Sequence, residues 1–332
     1  MRPVLRRGLS TALQLAAGAL VVVAAAQLAG GLARRFSRPH QPPGWQLFWY
    51  GHEVSAVALA GPLFWAGGTD GLMAIDRRTL MESSVRTPRL RYVRGLLSGG
   101  GDLWAAHAAG IERLSHGRWE HFDASSGLPR GVQWSLASSG GSVWCGGEGG
   151  LAVWNGSGFR LVASSAQLAL EAVEAIYRDP LDGALWLTCA SPRQGGVVRF
   201  DGTRFESWTH HPGLAHTAVS AVMRDHSGAL WFATGFAHLG GASVLRDGHW
   251  TTLTRRDGLA GDKARSLFED PSGRLWIGSE YEGVAVLDAG RTRVLTPRAG
   301  LAGWEVKSMA RDGDGALWLG TESGITRIQG EL

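Results

Sequence analysis

Two kinds of hydrophobic pattern divide this 332-residue chain. Between Arg7 and Arg34 lie 26 residues without a charge, including LVVVAAAQLAGGLA. A helix needs roughly 20 apolar residues to cross a bilayer, so residues 8–33 are long enough to do so. A cleavable signal peptide is the alternative, with Ala24 and Ala26 as the small residues of a cleavage site. The run exceeds the roughly 7–15 apolar residues of a signal peptide, which makes an uncleaved anchor the expectation. RPHQPPGW follows at 38–45 and is too proline-rich for helix, suggesting a short stiff tether. The expected organisation is therefore a membrane-addressed segment over 1–36, a linker over 37–44 and a folded body over 45–332.

Within that body the pattern changes to short strands that repeat. LFWAGGTDGLMAID (63–76) returns as LWIGSEYEGVAVLD (275–288) and as LWLGTESGITRI (317–328). The anchoring tryptophans are Trp65, Trp104, Trp144, Trp186, Trp231, Trp276 and Trp318, spaced 39 to 45 residues apart. Before each tryptophan comes an apolar stretch, closed in the later units by an acid and a glycine, as in AVMRDHSG. After the glycine turn come a charged hairpin and an aromatic strand, as in RDGHWTTL. Runs such as ALWLGT are apolar on both faces, so the sheets are covered on both sides. Four strands per unit of about 40 residues, repeated seven times, predict an all-β, seven-bladed β-propeller.

The last unit supplies three strands and lacks the outer one, while WQLFWY (45–50) stands as a spare aromatic strand before the first unit. Pairing the two closes the ring and removes both exposed edges. The expected form is a monomeric, self-latched propeller of four-stranded blades.

Composition fits this picture, with 49 glycines for turns and 15 tryptophans for an aromatic core. The net charge of +4 invites a nucleic-acid reading, but residues 1–38 hold six arginines and no acid. The remaining 27 Lys+Arg face 29 Asp+Glu, so the body has no electrostatic footprint for phosphate and no nucleic-acid partner is expected. Cys145 and Cys189 each follow a strand tryptophan and suit small core positions.

The units resemble the repeat of the two-component regulator propellers. Gly213-Leu214, Gly258-Leu259 and Gly300-Leu301 carry its start, Asp225, Asp270 and Asp312 its turn, and Trp231, Trp276 and Trp318 its signature. The first two units depart from it, lacking the turn aspartate. The resemblance implies a sensory propeller outside the cytoplasm, anchored in the inner membrane with the ring in the periplasm. The family joins such a ring to a kinase or output domain, and the expectation here is a propeller without one.

Propellers bind at the rim where loops enter the inner strands and leave the tryptophan strands. From each tryptophan to the next turn glycine the count is six or seven residues, except for ten in blades 4 and 5. Insertions on one face of a repeat protein often mark its binding side, which singles out residues 189–195 and 234–240. Arg193, Gln194, Phe236 and His238 are their candidate contacts. Loops entering the inner strands add Glu53, Tyr92, Arg94, Trp134, Glu174, Lys263, Arg265, Trp304 and Lys307, with Glu305 beside them. Aromatics with mixed charge suit a polar ligand, a glycan or peptide, or a partner protein of the envelope. The histidines show no spacing that fixes a metal geometry, so neither metal nor other cofactor is expected. The alternative function is a propeller lyase or hydrolase at the central channel, with His107, Glu148 and Glu174 as its acid–base groups.

Overall fold

The computed structural model describes residues 38–330. The expected anchor over 8–33 lies outside them, and no helix among the described residues is long and apolar enough to cross a membrane. Seven antiparallel sheets succeed one another along the chain. Their innermost strands are β2 (Ala56–Ala60), β5 (Gly95–Gly99), β9 (Gln133–Ser139), β13 (Ala175–Arg178), β17 (Val219–Arg224), β21 (Ala264–Glu269) and β25 (Val306–Arg311). Each packs against the next, and β25 returns to β2, which closes the ring.

Apolar residues on both faces of a strand have a direct structural outlet here, because the core lies between blades. Trp318 of blade 7 stacks on Phe64 of blade 1 at 4.1 Å, within a cluster that also holds Val54 and Ile325. Comparable clusters fill the other junctions. Neighbouring inner strands approach closely. A Cβ at Gly95 of β5 would meet the Trp134 and Ser135 backbone of β9 at 3.1 Å.

The repeated aspartate does more than turn the chain. Asp225 accepts the Ala229 amide at 2.9 Å on one oxygen and the Trp231 indole N–H at 2.8 Å on the other. Asp312 does the same for Ala316 and Trp318. One carboxylate thus fixes the hairpin and satisfies the polar atom of the buried tryptophan, which explains why aspartate and tryptophan recur together.

The latch forms as its strand count requires. β1 (Trp45–Phe48) pairs antiparallel with β27 (Gly324–Ile328), from Trp45 opposite Ile328 to Phe48 opposite Ile325. The proline-rich stretch before it touches the ring, with Gln41 Nε2 donating to the Gly300 carbonyl at 3.1 Å. Six sheets have four strands, whereas blade 1 has three, β2, β3 (Leu63–Gly68) and β4 (Gly71–Asp76). Its outer strand is reduced to one bridge, Ile75 to Glu82. The chain then leaves the sheet edge, and the Trp119 indole of blade 2 donates to Arg86 O at 2.9 Å.

Candidate functional site

Antiparallel pairing places the start of each inner strand beside the end of its tryptophan strand, as with Ala175 and Thr188 in blade 4. Both sets of loops therefore open on one rim. There they surround a cavity of about 830 Å³ at the mouth of the ring, within the size range of ligand sites.

One side of this mouth is a continuous chain of ion pairs. Arg94 Nη1 lies 3.1 Å from Glu53 Oε1, and Lys307 Nζ lies 2.6 Å from the same oxygen. Lys307 also meets Glu305 at 3.2 Å, and Glu305 meets Arg265 at 3.1 Å. The chain thus runs from blade 2 through blades 1 and 7 to blade 6, where Lys263 pairs with Glu280. The other side is different. Glu174 Oε2 accepts the Ala190 amide at 2.8 Å and Glu148 Oε2 the Val132 amide at 3.2 Å. Among the described residues, neither has a cationic partner within ion-pair distance. Blade 5 brings no charge, only Ser220 and Phe236, with Lys263 Nζ 5.6 Å from the Phe236 ring. Trp134 lies beneath Arg94 at 5.5 Å.

Nine sequence candidates therefore meet around one cavity, namely Arg94, Trp134, Glu174, Arg193, Phe236, Lys263, Arg265, Glu305 and Lys307. Glu53 stands behind them and holds Arg94 and Lys307 in place. Gln194, His238, Tyr92 and Trp304 do not line it. His238 sits exposed at the tip of the blade 5 hairpin, because the inserted residues extend the two strands to Phe236 and Leu239. Tyr92 and Trp304 are exposed, at 43% and 41%. Glu171 and Glu280 were not singled out from sequence, although each is a charged residue in a rim loop. Glu171 pairs with Arg193 at 2.5 Å.

The acid–base set imagined for a lyase is not assembled. Glu148 and Glu174 line the cavity, but His107 does not, and no histidine or cysteine does. The sequence puts His107 at the end of a tryptophan strand like the rim residues, yet its side chain turns into the flank of blade 2 beside Glu112.

The mouth also predicts a pH dependence. Burial acts to raise the Glu53 carboxyl, but hydrogen bonds from Lys307, Thr69 and Ser55 outweigh it and bring it down from 4.5 to about 2. A lowered carboxyl stabilises the fold fully above its unfolded value and ceases to do so as pH falls through the folded one. The stability gap between wild type and Glu53→Gln should thus be on the order of 2 kcal/mol at neutral pH and close between about pH 4.5 and 2. Denaturant titrations at stepped pH measure it. A gap constant over that window would show that Glu53 does not act through its charge.

Comparison with known proteins bears on the fold and its repeat. Residues 258–281 match the two component regulator propeller repeat, a span that includes Asp270 and Trp276. No curated protein sequence matches the chain. Among solved structures, the extracellular domain of a hybrid two component system from B. thetaiotaomicron superposes with a TM-score of 0.69 at 16% identity, over 87% of this chain and 42% of that one. A streptogramin B lyase gives 0.61 at 16%, over 86% and 97%. PorZ, a bacterial surface component of the type-IX secretion system of Porphyromonas gingivalis, gives 0.57 at 13%, over 87% and 46%. At these identities the likeness is one of fold, and this chain spans less than half the length of the first and third.

Proposed function

We propose that this seven-bladed propeller, which carries the two component regulator repeat, is an extracytoplasmic binding module for a polar ligand, a glycan or a peptide. The observation that carries the reading is the cavity at the ring mouth, with two aromatic side chains, five cations and five carboxylates around one opening. Such a lining suits a ligand rich in hydrogen-bonding groups. Its unpaired carboxylates, Glu148 and Glu174, favour a ligand that presents hydrogen-bond donors toward blades 3 and 4. Recognition through the Arg193 loop of blade 4 and the Phe236 hairpin of blade 5 gives the mouth its specificity. The fold likeness to an extracellular domain supports a location outside the cytoplasm, and the uncharged residues 8–33 support tethering to a membrane. A module of this kind serves a two-component system by presenting bound ligand to a sensor.

The test is an array of glycans and peptides probed with the labelled chain. A binder found there should lose at least tenfold in affinity with Glu174→Gln and with Arg193→Ala. It should lose as much when the blade 4 and 5 loops are trimmed to the six-residue spacing of blades 1–3. Melting temperatures should hold, since trimming removes only the tip of the blade 5 hairpin around Phe236 and Leu239, beyond its pairing with the inner and outer strands. A binder indifferent to all three changes would overturn the assignment of the mouth.

A further inference from the structure

Blade 2 carries on its flank three side chains that the channel does not use. His107 ends β6 (Asp102–His107), Glu112 lies on β7 (Gly110–Ser115) and His121 on β8 (Arg118–Phe122). Register sets Glu112 directly between Ala105 and His121. His107, two residues beyond Ala105, therefore falls on the same face. His107 and Glu112 are 3% and 7% exposed, while His121 opens to solvent. Glu112 Oε1 lies 2.7 Å from His121 Nδ1 and 3.8 Å from His107 Nε2. That Nε2 is buried and has no hydrogen-bond partner. One donor atom from each residue lies within 4.8 Å of the others. Buried polar atoms are nearly always satisfied, so an imidazole nitrogen aimed at a carboxylate beyond bonding reach calls for a third party.

We propose that His107 Nε2, a Glu112 oxygen and His121 Nδ1 bind a divalent transition-metal ion of the zinc class. Two imidazoles and a carboxylate form a donor set for such ions, each ligand standing about 2.0–2.2 Å from the metal. Tetrahedral ligands at that range lie roughly 3.3 Å from one another, between the 2.7 and 3.8 Å separations found here. Calcium and magnesium prefer oxygen and fit two nitrogens poorly. The fourth position faces solvent beside His121 and is left to water. Binding has a defined cost at Ala109. Its amide donates to His107 Nδ1 at 3.2 Å, which puts the neutral ring's proton on Nε2. Metal at Nε2 moves that proton to Nδ1 and breaks the hydrogen bond from the Ala109 amide. Ala109 is exposed in the turn before β7, so water replaces the lost acceptor. The ion then straps three consecutive strands of one blade, and by mass action it stabilises the folded ring.

The test uses the full chain without tag histidines, stripped with chelator and titrated with cobalt(II), then competed with zinc(II). One equivalent of cobalt should bind with visible ligand-field bands, zinc should displace it, and either ion should raise the melting temperature by several degrees. His121→Ala, at an exposed position, and Glu112→Gln should each weaken cobalt binding at least tenfold. His121→Ala removes the bond to buried Glu112 and should lower the metal-free melting temperature modestly while keeping a single cooperative melt, so that loss of binding is not loss of fold. No bands and no thermal shift up to millimolar cobalt would overturn the site. So would one equivalent bound with undiminished affinity in both variants.

Discussion

A chain lacking residues 45–50 is expected to melt about 10 °C or more below the intact protein, in a single transition displaced as a whole. Four residues of β1 pair with β27, but the energetic weight lies in the side chains. Trp45 is 9% exposed and sits in the cluster with Trp276, Leu301, Val306 and Ile328, which joins blades 6 and 7. Phe48 approaches Trp318 at 5.5 Å, on the side facing blade 1. Removing a buried tryptophan alone costs about 3–5 kcal/mol, and each kcal/mol lowers the melting temperature of a domain this large by about 2–4 °C. The loss also reopens the edge of β27. Because blade 7 contacts blades 6 and 1, the damage spreads in both directions around the ring. Circular dichroism melts with size-exclusion chromatography measure the effect. An unchanged melting temperature in a monomer would show that the latch is ornamental.

Asp179→Ala should cost about 3–5 kcal/mol, the range for stranding one partner of a buried ion pair. Asp179 is fully buried in blade 4 and clasps Arg224 of blade 5 through two bonds, at 2.8 and 2.6 Å. Its oxygens also accept the Leu181 amide at 3.0 Å and the Trp186 indole at 3.3 Å. Burial pushes this carboxyl up, yet Arg224 and these donors prevail and hold it below the usual range. The substitution leaves the Arg224 guanidinium, the Trp186 indole and one amide without their acceptor. Arg224→Met in the same chain should recover part of the loss, because the stranded charge is then gone. Urea unfolding of the two single variants and the double variant gives the coupling. Strict additivity would mean that the clasp contributes nothing between blades.

The ring was legible because its signal is repeated. One LW phrase is weak evidence, but seven at steady spacing, with a missing strand at one end and a spare at the other, leave few arrangements. What stayed hidden depends on contacts across strands. Blade 1 keeps only a bridge at Glu82 where an outer strand was expected, since residues 84–92 leave the sheet edge and Leu90 and Val93 join a buried cluster with Ala105 of blade 2. MESSVRTPRLRY is polar enough that periodicity gave no warning. His107, Glu112 and His121 are separated by five and nine residues, a spacing that means nothing until register puts them side by side. The mouth was half legible. Inner-strand positions such as Lys307 follow from alignment of the repeats, whereas His238 and Gln194 were chosen for lying in long loops. Loop length says nothing about which way a side chain turns.

The pairing of Trp45 with Ile328 also sets an order in time. Synthesis at about 5–20 residues per second leaves β1 waiting on the order of 15–60 s before β27 exists. If folding keeps pace with synthesis, six blades stack while the strand that completes the seventh has nothing to pair with. The last event is then a long-range closure between segments 280 residues apart in sequence, the slow kind of step in β topologies. An aromatic strand left free for that interval is a target for mispairing with other chains. The same strand that seals the finished ring is thus the segment that most needs shielding while the ring is made.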